Sequence, residues 1–441
     1  MEVVMRRLGS LLYLVEPNAT TFQYPDQVPD YVNEAIPFFV ITTTLEFAVR
    51  WWQGRPERVN DAFSNIGIGI VHEATRLKVL KAPRLEARHL ESRNPFSVLE
   101  GVTEEEVDVA GGDKEKEGAD AVNLPQELNI LWAVHQVHHS SENYNLTTGF
   151  RLSALQKLAH FGFYQPLALL GIPLPAVLVH TGLNYLFQFW IHNTFVGRLG
   201  PLEYVIATPS FHRVHHGANK WCLDKNYASV LVLWDILFGT YQPEKEDSEI
   251  VYGLTHQPQS FNAIWHQYFY FVEVFRKARS MTTWGDSLKA IFYGPGWSPG
   301  TPRLGNPDLF PDVVAPRQKY DPQLPSWKLL YIGSHLAVAI FMQQLLVTRI
   351  LAVPWMTIIT FLAFIFASVG VVTAMLDGWR WTGLAEAVRC IAYVLNARSS
   401  LATHSPSLDI ALEFFFIMCA VFWTCHSLAP NIANIMKKKF L

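Results

Sequence analysis

His135-Gln136-Val137-His138-His139 and, further along, His212-Arg213-Val214-His215-His216 carry the same HxxHH spacing. On an α-helix the positions i, i+3 and i+4 share a face, so each box turns its first histidine and at least one of the pair toward a common point. With sixteen histidines in 441 residues, one such box arises by chance in roughly two chains per hundred and a matched pair in roughly two per ten thousand. The six imidazoles therefore read as metal ligands rather than as hydrogen-bonded core residues. Imidazole suits zinc, copper, iron and nickel alike. A structural zinc site takes four ligands, often with cysteine, so six or more imidazoles point to two metals. Two irons held by neutral imidazoles keep a positive charge that suits oxygen activation and attack on an unactivated C–H bond.

The surroundings of the boxes place them at a bilayer. Half of the chain is apolar, 17% is charged and the mean hydropathy is +0.13, against about 25% charged in soluble domains. A spanning helix needs about 20 mostly apolar residues, because its backbone polar groups must be satisfied internally. Residues 35–52 qualify, leaving the membrane at Trp51-Trp52 with Arg50, Arg55 and Arg58 as a basic flank. Residues 158–190 form an apolar stretch broken at Gly171-Ile172-Pro173-Leu174-Pro175, either two helices meeting at a turn or a re-entrant hairpin. Three further spans are expected at 327–347, 353–376 and 410–428. The apolar run 8–15 is too short to span and shows no cleavage site, so no signal peptide is expected. A net charge of -3 and the absence of any CxxC pair among four cysteines argue against a nucleic-acid binder and a disulfide scaffold. The expected fold is all-α: a multi-pass membrane protein with a histidine-rich two-metal helical core on its cytoplasmic face.

Composition divides the chain into an N-terminal membrane region (1–77), an insert (78–125), the metal region with its membrane hairpin (126–266), an extended loop (267–326) and C-terminal transmembrane helices (327–441). Within the insert, residues 91–121 hold ten acidic residues against three basic ones, with Gly111-Gly112, and read as solvated and disordered. The end Lys437-Lys438-Lys439-Phe440-Leu441 reads as a cytoplasmic basic flank, or as a dilysine signal for the endoplasmic reticulum. His192 closes the hairpin at the face of the boxes and is expected to add a ligand, with Gln188 four residues earlier as a hydrogen-bonding neighbour. Asp224, Asn226 and Tyr227 follow the second box and are candidates to orient imidazole N–H groups. His256 is a weaker candidate ligand. His72, His89, His160, His180, His266, His335, His404 and His426 are isolated and read as structural.

Two boxes around a membrane hairpin resemble the fatty acid hydroxylase superfamily of membrane di-iron oxygenases. The text around them, Asn129-Ile130-Leu131-Trp132-Ala133-Val134 before the first box, Gln188-Phe189-Trp190-Ile191-His192, and Asp224-Lys225-Asn226-Tyr227-Ala228 leading to Trp234-Asp235 and Phe238-Gly239-Thr240, looks like the tetrahydrobiopterin-dependent alkylglycerol monooxygenase family. The likeness is strong over 128–266 and looser at Asn60-Asp61-Ala62-Phe63-Ser64 and in the last third. It implies a di-iron centre held by the six box histidines and His192, with no catalytic side chain beyond the metal ligands. It also implies that tetrahydrobiopterin supplies electrons, with Glu127 as a candidate contact to its amino-pyrimidine edge. The carbon beside the ether oxygen of an alkylglycerol would be hydroxylated, and the hemiacetal would fall apart to a fatty aldehyde and glycerol.

In one respect the chain departs from that family. An earlier box, HxxxHE, should precede Asn129; the pattern puts Val122 and Gln126 on its histidines and Glu127 on its glutamate. Neither His72-Glu73 nor His89 stands four residues from a second histidine. Either 78–125 is an aberrant segment such as translated intron, or the chain has lost a metal position. Alternatives to ether-lipid cleavage are a sterol or fatty-acid hydroxylase or desaturase fed by cytochrome b5, and a non-catalytic lipid scaffold or metal carrier. Carriers line their path with ionisable groups, whereas the late spans offer little beyond His335, Asp377 and Glu413.

Overall fold

A computed structural model describes residues 9–90, 127–156, 166–350, 352–397, 402–403 and 405–439. Among these there is no β-strand, only isolated bridges such as Gly217 with Tyr252. Four helices are long and apolar enough to cross a membrane, at Pro25–Trp52, Ser326–Arg349, Trp355–Leu376 and Pro406–Leu428. The chain is a multi-pass helical membrane protein, as its composition required.

The first long helix, α1 (Tyr31–Trp52), starts where the Asp30 carboxylate accepts the Asn33 N–H at 3.2 Å. It ends at Trp51 and Trp52, both exposed as an interfacial belt demands. Helix α2 (Val59–Leu90) follows. It carries helical structure past the boundary that composition drew at 77; residues 91–126, including Val122 and Gln126, lie outside the described residues. The first box rides on α3 (Asn129–His139). After Gly171, whose φ of +74° a side chain would resist, comes α4 (Leu174–Ile191). The second box occupies the short α5 (Pro209–His215), capped by Thr208, and α6 (Leu233–Phe238) ends at Gly239 in the left-handed region.

The loop expected over 267–326 needs correction. Helix α7 (Ala263–Arg279) runs well into it, and α8 (Trp284–Phe292) follows. Asn262 caps the first by accepting from Trp265 N–H at 2.7 Å, and Thr283 caps the second through Asp286 N–H at 3.0 Å. Proline and glycine beyond residue 293 set the reading of the whole segment, and these two caps were overlooked.

The C-terminal bundle comprises α9 (Ser326–Arg349), α10 (Trp355–Leu376), α11 (Thr382–Asn396) and α12 (Pro406–Lys439). Helix α2 packs on α9 and α10. In hydrocarbon, lipid tails are as apolar as leucine, so such helices are held by close packing and polar contacts rather than by exclusion of water. Gly67 shows the closeness: a Cβ there would lie 2.9 Å from Thr373 Cγ2 and 3.2 Å from Ala263 Cβ. Helix α11, at 15 residues, is too short to span and supplies the bundle's polar centre. Arg389 donates to Glu386 Oε2 at 2.8 Å, to Ser368 Oγ at 2.9 Å and to His335 Nδ1 at 2.9 Å, while Tyr331 donates to the other Glu386 oxygen. At the aqueous end Asp377 accepts from Phe261 N–H at 2.7 Å and Ser260 Oγ at 2.5 Å, which ties the bundle to the start of α7.

Removing one member of a buried ion pair strands the other and costs ~3–5 kcal/mol, whereas replacing both by apolar groups is nearly neutral. Arg389→Met alone should therefore lower the melting temperature of the purified protein in nanodiscs by many degrees, and Glu386→Leu with Arg389→Met should restore much of it. A double variant no better than the single one would mean that the pair is not coupled.

Candidate metal centre

Helix α3 presents its box because both ends are fixed. At the start, Asn129 Nδ2 donates to the Ala290 carbonyl at 2.9 Å and Asn129 N–H to the Tyr293 carbonyl at 2.9 Å, both at the end of α8. At the finish, the guanidinium of Arg151 donates through Nε to the Val137 carbonyl and Ser140 Oγ, each at 3.0 Å. The same group reaches α2, through Ser64 Oγ at 3.1 Å and Asn65 Oδ1 at 2.7 Å. Arg151 is completely buried with no carboxylate bonded to it, and burial pulls its pKa down to about 10. Sequence reading did not single it out. The turn 140–145 is pinned from the start of α2: Arg58 meets Glu142, Asp61 accepts from Ser141 Oγ at 2.7 Å, and Glu57 accepts from Asn145 Nδ2 at 2.9 Å.

The structure brings all seven candidate histidines together, in two groups whose ligand atoms lie within 4.8 Å of one another: His138, His192, His212 and His216, and beside them His135, His139 and His215. The groups abut, with the rings of His139 and His216 stacked at 4.4 Å. In the first, His192 Nε2 stands 3.1 Å from His138 Nε2, 3.1 Å from His212 Nε2 and 3.2 Å from His216 Nε2. In the second, His135 and His139 Nε2 are 3.0 Å apart.

These contacts cannot all be hydrogen bonds. A neutral imidazole has one N–H and one lone pair, and three of the rings have spent the N–H elsewhere. His192 Nδ1 donates to the Gln188 carbonyl at 2.5 Å, His138 Nδ1 to the Arg151 carbonyl at 3.2 Å and His215 Nδ1 to the Lys225 carbonyl at 3.3 Å. Their Nε2 lone pairs therefore point inward and at one another. A shared cation satisfies that convergence, and carbonyls behind the rings are what fix a ligating tautomer. Burial first, then the neighbouring imidazoles, hold His138, His139, His212 and His216 well below the usual imidazole range, and burial lowers His215. All five stay neutral, as a metal ligand must. The residues present fit a pair of cations.

The orienting neighbours differ from expectation. Gln188 serves His192 through its carbonyl; its side chain donates to the Ser229 carbonyl. At the end of α4 the His192 N–H turns back to Phe189, which leaves the Gln188 carbonyl for the ring. Asp224 and Asn226 bond no imidazole with their side chains. Asp224 accepts from the Tyr227 hydroxyl at 3.3 Å, and Asn226 donates to the Phe211 and Gln242 carbonyls at 2.9 and 2.8 Å. Both adopt positive φ, and the bend they make delivers the carbonyl of Lys225 to His215. His72 is occupied with the Ser153 carbonyl and His266 with that of Ser260. His256 only lines a nearby cavity. His160 and His404 lie outside the described residues, as does the side chain of His89.

Beside the three-histidine group opens a cavity of about 430 Å³, lined by His139, His215, Trp132, Tyr270, Asp224 and Glu127 among others. Glu127 is paired there with Arg303.

A family model described as fatty acid hydroxylase matches residues 125–240. The chain is 34% identical to the alkylglycerol monooxygenase of Xenopus tropicalis over 98% of its own length and 97% of the relative's. To the Homo sapiens alkylglycerol monooxygenase it is 34% identical over 95% and 94%. A shorter stretch, 31% of this chain, is 32% identical to an ornithine lipid hydroxylase of Rhizobium tropici, covering 41% of that protein. No solved structure matches.

Ligand number should separate the two groups. Titrated with ferrous iron, the chain should show one tight equivalent and a second at least tenfold weaker. His192→Ala, which removes the nitrogen central to the four-imidazole group, should abolish the tight phase; His135→Ala should remove only the weak one. Loss of both phases from either variant would mean that the groups do not bind separately.

Proposed function

The chain belongs to the alkylglycerol monooxygenase family, and from that premise we propose that it cleaves the ether bond of alkylglycerols at a membrane-embedded di-iron centre, with tetrahydrobiopterin as electron donor. The observation that carries this reading is the convergence of seven inward-facing imidazoles beside a cavity of about 430 Å³. His138, His192, His212 and His216 would hold one iron, and His135, His139 and His215 the other. Trp132 and Tyr270 give the cavity aromatic walls that suit a flat bicyclic ring, and Glu127 offers a carboxylate at its edge. When bound, the irons and the pterin supply oxygen activation and the electron pair.

What the protein adds is placement. The carbonyls of Gln188, Arg151 and Lys225 keep three rings in the ligating tautomer. Arg151 and the Glu57, Arg58 and Asp61 contacts hold the first box against α2. Burial keeps water from the reacting carbon, while the glycerol head and the pterin stay at the aqueous face. A location in the endoplasmic reticulum belongs to the same proposal.

We infer further that the three-imidazole group is the incomplete one. Two of its three imidazoles, His139 and His215, line the cavity that Glu127 borders, against one of the four, His216. Metal analysis together with aldehyde release from a 1-O-alkylglycerol tests this. The chain should hold about one tight iron and turn over slowly, in a pterin-dependent way. Val122→His with Gln126→His should bring iron toward two per chain and raise turnover at least tenfold. Two tightly held irons with full turnover in the unaltered chain would sink the inferred deficit, and turnover indifferent to tetrahydrobiopterin would sink the choice of donor.

A further inference from the structure

We propose that a second, larger cavity takes the alkyl chain of the lipid from the bilayer and that its walls set the chain length accepted; this rests on the ether-lipid reading above. The cavity, about 580 Å³, lies between α4 and the segment from Tyr227 to Thr240. Ala176, Val177, His180, Thr181 and Asn184 of α4 line it. At ~1.5 Å per residue these five occupy one face along about 12 Å of helix, and that helix ends at His192. The groove therefore leads toward the metals.

At its inner end Tyr227 and Thr240 belong to the walls of both cavities, and the Tyr227 ring stands 6.3 Å from that of His215. A chain lying in the groove thus has its head at the three-imidazole group. At the outer end, Ile172, Leu231 and Trp234 line the groove and are also exposed, at 40%, 50% and 51%. Their neighbours Leu169, Leu170, Leu233 and Leu237 are exposed as well. So continuous an apolar rim is out of place in water, and a tryptophan at its edge suits the bilayer interface. The opening faces lipid, and a lipid tail is the occupant whose chemistry matches the rim and the apolar part of the lining, Ala176, Val177, Val230 and Phe238.

The far wall is rigid. The Asp235 carboxylate accepts from Tyr227 N–H and Ala228 N–H at 2.8 Å each, and from Thr240 Oγ1 at 2.6 Å. A wall so tied cannot widen for a longer guest, so bulk added to the facing helix shortens the groove.

The test uses the full chain in nanodiscs. A 1-O-alkylglycerol with a diazirine at the chain end is photolysed and the labelled peptides are mapped by mass spectrometry, a readout independent of turnover. Label is expected on 172–184 and 228–234, displaced by excess 1-O-hexadecylglycerol; label confined to 326–428 overturns the proposal. In parallel, Val177→Trp, with iron content equal to the unaltered chain, should lower kcat/KM for an octadecyl ether at least tenfold more than for an octyl ether. An unchanged chain-length profile overturns it too. Label in the groove of a chain that cleaves no ether would instead uphold the tail site and remove the ether-lipid function.

Discussion

Everything in this protein is arranged around nitrogen lone pairs that repel one another. His192 Nε2 has three other ring nitrogens within 3.1 to 3.2 Å, and its contact with His138 cannot relax by sharing a proton, because the outer nitrogens of both rings are committed to carbonyls. The scaffold must hold so close a group of buried imidazoles in place. That requirement explains the density of buried hydrogen bonds around α3. It also explains why a guanidinium, with five donors in a rigid fork, sits behind the first box.

The membrane bundle supplies the rigidity from below. Val137, on the back of the first box, packs in the same apolar cluster as Ile68, Ile332, Ile365 and Phe416. One face of α3 thus faces the histidine cluster and the other belongs to the transmembrane core. In hydrocarbon that core gains little from apolar burial itself, so its order rests on close approach, as at Gly67, and on the Glu386–Arg389 centre. A charged pair there is costly in isolation. With Tyr331, Ser368 and His335 as partners it becomes a directional joint between α9, α10 and α11.

Much of this was legible in the sequence because it is periodic. Spacings of three and four residues put the box histidines on one face, and long apolar runs gave α1, α9, α10 and α12. What escaped is aperiodic or backbone-borne. Arg151 is one arginine in a loop, and nothing local marks it as the clamp on α3. Gln188 meets His192 through its carbonyl, which every residue possesses. Asp224 and Asn226 were expected to touch imidazoles and instead bend the chain, because the acceptor that matters is the carbonyl of Lys225 between them. Glu386 and Arg389 lie on a helix too short to register as a span, and nothing in its local composition marks them as a buried pair.

The two histidine groups are unequal in a way that follows from how the chain enters the site. Three separate elements, α3, the end of α4 and α5, contribute to the four-imidazole group. Cross-bracing from three directions fixes its nitrogens whatever the preceding sequence does. Only α3 and α5 contribute to the other group, and its remaining side opens on the cavity that holds Glu127. The four-imidazole group is thus held from three elements and the three-imidazole group from two.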